Sequence, residues 1–145
     1  MTMTKREVVD LWFSEIWDGH KTSLLDSVLA PSMAEDDNIY GGLALRKDIP
    51  LLIEVFHRLL GTTKTEVLVY IEQGDWVSVQ YRTTADGADG DTPIDIKCLI
   101  MFRFEQGLIA ELISRIDSLA LFEQLGQIPQ ETMMGCFSGQ SLTWK

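Results

Sequence analysis

Asp117 closes an apolar, strand-like run, "LIAELISRID", and stands directly ahead of a short helix-like run, "SLALFEQLG". Two chemistries are open to a carboxylate in that position. On an apolar wall it loses hydration, its pKa rises, and it becomes a base able to take a proton alpha to a carbonyl near neutral pH. At the start of a helix it accepts backbone N–H bonds and serves as a cap. Arg115, two residues earlier, leaves an extended strand on the same face as Asp117, and Arg103 stands on the preceding long strand. A guanidinium there would bind a substrate carboxylate or enolate, or would be spent in ion pairs on the outer face of a sheet. Tyr40 and Tyr81 each offer a phenolic proton to a carbonyl oxygen in an otherwise apolar site. Trp17 joins them as a wall for a flat ring, whereas Trp12 and Phe56 read as core. His57 follows Phe56 in a helical stretch and reads as half-exposed or hydrogen-bonded.

The elements that must position these groups are legible from periodicity. Val8, Val9, Trp12, Phe13, Ile16 and Trp17 recur at three- and four-residue spacing and predict a helix over 5–19, stopped by Gly19. A short helix is expected over 21–29, before Pro31, followed by an acidic loop or irregular strand over 33–42. The third helix, "DIPLLIEVFHRLLG", has Asp48 as its N-cap, Pro50 in its first turn and Gly61 as its stop. The period then changes to two. Strands are predicted over 65–73, 76–84, 94–105 and 108–117, joined by the tight turns Gly74-Asp75 and Gln106-Gly107 and by the loop "ADGADGDTP". A short helix over 118–125 closes the pattern. Helices followed by an antiparallel meander argue an α+β fold with the helices on one face of the sheet.

Bulk composition sets the partner class. The chain has 145 residues, room for one domain with a substantial core. Its 12 basic and 22 acidic residues give a net charge of −10. Phosphate contacts need clustered Lys and Arg, and no basic run is longer than Lys5-Arg6, so neither nucleic acid nor an anionic membrane is expected as a partner. No apolar stretch approaches the ~20 residues of a membrane span, and the N-terminus lacks a signal-peptide pattern, which reads as cytoplasmic. Cys98 and Cys136 imply no disulfide framework. "DGADGD" lacks the spacing of a calcium loop, "GCFSG" is not a nucleophile elbow, and no nucleotide or zinc fingerprint occurs. No metal or organic cofactor is therefore implied.

Three stretches, "WDGHKTSLLDSVLAP", "IEQGDWVSVQYRTT" and "FRFEQGLIAELISRIDSLALFEQLGQIP", follow one another in an order that resembles the SnoaL-like proteins of the nuclear transport factor 2-like superfamily. The most specific part is the last, with Gly107, Glu111, Asp117 and "QLGQIP". The resemblance implies a cone-shaped, curved antiparallel sheet wrapped around N-terminal helices and enclosing an apolar pocket. It implies a small hydrophobic or aromatic carbonyl ligand and a homodimer through the sheet. Asp117 matches the acid that polyketide cyclases of this group use as a base without a cofactor. Ile113 occupies the place, two residues after Glu111, where the group carries a tryptophan, and "TTADGADGD" holds no histidine where cyclase-like members have one. The functions implied are therefore a cyclase- or isomerase-like acid/base enzyme, or a ligand-binding or dimerisation module without chemistry. The domain is expected to span 1–131. The tail, 132–145, is apolar enough (Met133, Met134, Phe137, Trp144) to pack on its own domain or on a partner subunit.

Overall fold

Thr4 and Glu7 start the first helix with a reciprocal capping box: each side chain accepts the other residue's backbone N–H. In the computed structural model, which describes residues 2–40 and 45–143, this helix is α1 (Lys5–Leu11). The expected α-helix to Gly19 does not continue unchanged, because Trp12–Asp18 widens into a π-helix. A π turn bonds residues five apart, and Trp12 and Trp17 have that spacing. Both rings come to the inner side of the rod, in edge contact with centroids 6.4 Å apart. A 3₁₀ turn, Thr22–Leu24, leads into α2 (Leu25–Val28).

A second 3₁₀ turn, Arg46–Asp48, leads into α3 (Ile49–Leu60). Asp48 occupies the cap position, but its side chain makes no capping bond, which corrects the sequence expectation. Pro50 supplies the pre-set backbone of the first turn instead. Gly61 ends α3 at φ +73°, and a Cβ there would lie 2.6 Å from the Gly87 carbonyl oxygen. Only glycine lets this helix end meet the loop at Gly87 so closely.

The sheet is β1 (Thr63–Gln73), β2 (Trp76–Ala85), β3 (Ile94–Glu105) and β4 (Leu108–Arg115), antiparallel and paired in chain order. Burial alternates along β2 and β3, so one face meets the helices and the other meets solvent. The inner face places Val77, Val79, Ile100, Phe102 and Phe104 against Val8, Val9, Trp12, Ile16 and Ile53, all buried. The edge of β4 is covered by the segment that follows α2. Ala30 N donates to Ile109 O at 2.7 Å, and Ser114 N donates to Ile39 O at 3.0 Å. Gly41 and Gly42 lie outside the described residues.

Two bulges bend the sheet. Leu68 is the extra residue in β1, between Val67 opposite Tyr81 and Val69 opposite Gln80. Ala110 is the extra residue in β4, between Glu111 opposite Arg103 and Ile109 opposite Phe104. Beyond Ala110 the alternation is reversed, so Leu112 and Ser114 face the helices while Glu111, Ile113 and Arg115 face outward.

The outer face carries Val69, Ile71, Leu99 and Met101 as exposed apolar side chains. Around them Arg82 pairs with Asp95, and Arg103 bridges Glu105 at 2.8 Å and Glu111 at 3.0 Å. The Arg82 hydrogen bond holds the Asp95 carboxyl below its usual range, and the Arg103 hydrogen bond does the same for Glu105. A carboxyl with a lower pKa in the folded chain stabilises it above the unfolded pKa and loses that effect as pH falls through the folded value. The melting temperature should therefore stay level above about pH 5 and fall below about pH 4. Thermal melts across that range check this. The fall should shrink at high salt, since both pairs are exposed; a maximum near pH 3 would contradict it.

After β4, α4 (Ser118–Gln124) returns along β3, where Gln124 exchanges hydrogen bonds with the Asp95 backbone at 2.7 and 3.0 Å. The tail forms α5 (Thr132–Phe137). It is tied to α4 by Met133 N donating to Glu123 Oε1 at 3.2 Å, while Met134 and Phe137 remain exposed. Trp144 lies outside the described residues. Among those described, no helix is long and apolar enough to cross a membrane.

Candidate functional site

Between the π-helical Trp12–Asp18 segment, α3 and the inner face of the sheet lies a cavity. The helices contribute Phe13, Trp17, Asp18, Phe56, His57 and Leu60. The sheet and the residue after it contribute Thr63, Thr65, Tyr81, Thr83, Ile96, Cys98 and Ile116. Its empty space is about 470 Å³ counted to the open mouth, within which a water-sized sphere can place its centre in about 40 Å³. That is room for about three waters, or for one flat ring with small adjustments of the wall. The aromatic side chains touch one another: Phe13 and Tyr81 have centroids 4.7 Å apart, and Trp17 and Phe56 5.9 Å.

Polar groups occupy two places in this apolar wall. The deep group is built from Tyr81, Cys98 and Ser114. Burial, then the neighbouring Cys98 and Tyr40, push the Tyr81 phenol well above its ordinary pKa, so it remains a proton donor across the working pH range. Burial acts the same way on the Cys98 thiol. Tyr40 is 3% exposed, and burial raises its phenol too. Its ring packs edge-on against Trp17 with centroids 6.1 Å apart, so it stands behind the wall rather than in it. The Tyr40 hydroxyl and the Ser114 hydroxyl, which lies beside Tyr81, are buried without a well-formed hydrogen bond. Buried polar atoms without partners are uncommon, and their presence in a core calls for an explanation.

The second polar group is at the rim. Asp18 Oδ1 accepts from Thr63 Oγ1 at 2.8 Å and Thr65 Oγ1 at 2.9 Å, and Oδ2 accepts from Thr65 N at 2.7 Å. Thr65 Oγ1 and Thr83 Oγ1 are 3.1 Å apart. His57 Nε2 lies 2.6 Å from Trp17 O, a contact in which the ring must donate, and its ring stacks on His20 at 4.4 Å. His57 thus matches the sequence expectation of a hydrogen-bonded histidine, now on the cavity wall.

The structure sorts the candidates of the sequence. Trp17 and Tyr81 line the cavity, and Tyr40 backs it. Phe56, expected in the core, is a wall residue. Arg103, Ile113 and Arg115 do not reach it. The bulge at Ala110 turns Ile113 and Arg115 outward, Arg103 is engaged with Glu105 and Glu111, and Arg115 Nη1 donates to the Ser114 carbonyl at 2.8 Å. Asp117 is exposed and caps α4, accepting from Ala120 N at 3.2 Å. Its predecessor Ile116 takes the place on the wall. Sequence reading missed Asp18, Thr65, Thr83 and Ser114. Asp18 did leave one signal: an acid in the last turn of a helix opposes the helix dipole and needs partners elsewhere. Among the described residues no cluster of groups suited to a metal ion occurs.

A profile of the SnoaL-like domain family matches residues 9–112. Solved structures with the same fold include a provisionally designated polyketide cyclase from Bacillus cereus ATCC 10987, 19% identical, with a TM-score of 0.71 over 87% of each chain. AclR from Streptomyces galilaeus, provisionally designated a hydroxylase, is 17% identical, with a TM-score of 0.72 over 95% of this chain and 91% of its own. IdmH from Streptomyces antibioticus, provisionally designated a polyketide cyclase, is 15% identical, with a TM-score of 0.70 over 86% of this chain and 99% of its own. No curated protein matches the sequence.

Proposed function

The chain belongs to the SnoaL-like domain family, and we propose that it binds a small, largely apolar ring molecule bearing a carbonyl oxygen, in the cavity between Phe13, Trp17, Phe56 and Tyr81. The observation that carries this reading is the buried phenol of Tyr81 at the deep end of an aromatic wall. Tyr81 is on the wall, and Tyr40 and Ser114 are buried beside it without well-formed bonds of their own. A carbonyl oxygen placed against Tyr81 can accept from its phenol, while Tyr40 and Ser114 stand outside the lining.

The position of Asp117 favours binding over the alternative, a cyclase- or isomerase-like proton abstraction alpha to a carbonyl. That chemistry needs a carboxylate within reach of the substrate, and Asp117 is a solvent-facing cap. Asp18 is on the wall, but its oxygens already accept three hydrogen bonds. The same reading makes the protein a homodimer through the outer face of the sheet, where Val69, Ile71, Leu99 and Met101 are exposed together.

The test is a titration with acetophenone, a single ring bearing a carbonyl, followed by tryptophan fluorescence and amide NMR shifts. The shifts should centre on Thr65, Tyr81 and Ile116. Tyr81→Phe should weaken affinity about tenfold, the effect of one lost hydrogen bond of ~1.4 kcal/mol. Asp117→Ala should cost about 1 kcal/mol of stability and leave affinity unchanged. Shifts confined to the outer face, or binding abolished by Asp117→Ala, would remove the proposal.

A further inference from the structure

The rim of the cavity has a polarity that the deep end lacks. Asp18 is the one carboxylate on the wall, and no Lys or Arg lines it among the described residues. The direction of each rim proton can be followed. Thr63 and Thr65 both donate their hydroxyl protons to Asp18 Oδ1. With its proton so committed, Thr65 can only accept from Thr83, 3.1 Å away. The chain therefore runs Thr83 to Thr65 to Asp18, and every hydroxyl proton in it points toward the carboxylate. His57 spends Nε2–H on the Trp17 carbonyl. What these groups leave facing the cavity is lone pairs and a formal negative charge, with one lone pair of Asp18 Oδ2 beyond the bond from Thr65 N.

Such a rim repels an anion and offers a neutral carbonyl nothing to accept from. It suits a proton donor, and a cation best. The rings of Trp17, Phe56, Phe13 and Tyr81 surround the same space, and aromatic faces attract a positive charge in a site with little water. The net charge of −10 draws cations toward the molecule as a whole.

We propose that the cavity selects an organic cation, an amine or substituted ammonium on a single ring, with the positive group against Asp18 and the ring among Trp17, Phe56 and Tyr81. This rests on the reading of the cavity as a ligand site and adds the charge of the ligand to it.

Three single-ring probes that differ mainly in charge test it: benzylamine, benzyl alcohol and benzoate, each titrated at pH 7 and followed by amide NMR shifts at Thr65 and Tyr81. Benzylamine should bind at least tenfold tighter than benzyl alcohol, and benzoate most weakly. In Asp18→Asn, whose amide oxygen can still accept from the threonines, benzylamine and benzyl alcohol should come within about threefold of each other. The rank order in the unaltered protein stands as a test even if that variant folds poorly. Equal binding of benzylamine and benzyl alcohol, or tighter binding of benzoate, overturns the inference and leaves the ligand site standing. No cavity shifts with any of the three probes overturns the inference, and the ligand site falls with it where the ketone titration also shows none.

Discussion

Phe102→Ala should lower the unfolding free energy by about 3–5 kcal/mol, the usual range for removing a buried phenyl ring. Phe102 is fully buried in the last third of β3. It is the ring on which the first helical rod rests, with Trp12 edge-on at 6.0 Å and Phe13 edge-on at 6.4 Å, and Phe104 lies tilted at 6.3 Å. The surrounding residues come from the rod and from two neighbouring strands, so the hole cannot close by the shift of one element. Natural domains have about 5–15 kcal/mol in total, so this single change should remove a large share of it. Urea unfolding followed by circular dichroism checks the figure. Lys97→Ala, exposed on the other face of the same strand, should change it by less than about 0.5 kcal/mol. A loss below about 1 kcal/mol for Phe102→Ala would mean that the helices are not seated on this ring.

Asp18→Ala is the second large effect, about 2–4 kcal/mol, from the loss of a carboxylate that accepts three hydrogen bonds. The Thr65 amide and two threonine hydroxyls would then need water as their partner. The effect is local as well as global, because Asp18 is what fastens the end of the π-helical segment to β1. Hydrogen exchange at Thr65 should accelerate more than at Val79 in the middle of β2. Asp18→Asn should recover part of the stability, since its amide oxygen still accepts from a hydroxyl. Equal stability of Asp18→Ala and the unaltered protein would mean that the three bonds contribute nothing.

The element order of the fold was readable because each element announces its period. Val8 to Trp17 repeat at helical spacing, and Ile94 to Phe104 alternate without a break, so neither depends on distant context. Trp17 and Tyr81 stand on the cavity wall because the apolar spacing of their elements carries both to the inner side. The last strand failed that test. Ile109 and Ala110 are both buried in succession, and apolar residues in sequence do not say which of them is the extra one. With Ala110 out of register, Ile113 and Arg115 changed sides, and the expected cationic wall became an outer surface. Arg103 was legible only as half of a choice between substrate and ion pair. Glu105 and Glu111, which decide it, come from its own strand and from the next. Asp18 was hidden because its partners, Thr63 and Thr65, lie more than forty residues away.

The strands pair only with their neighbours in sequence, and this orders events in time. Each hairpin closes a short loop, so the sheet can assemble step by step without waiting for the helices. The cavity has no such early existence. Its walls are Phe13 and Trp17 on one side and Thr65 and Tyr81 on the other, and it appears only when the N-terminal rod docks on a finished sheet. A bound molecule then has nothing to hold until the last step is over. Its stabilising effect should show in the rate at which the native protein opens, and hardly at all in the rate at which the chain first folds.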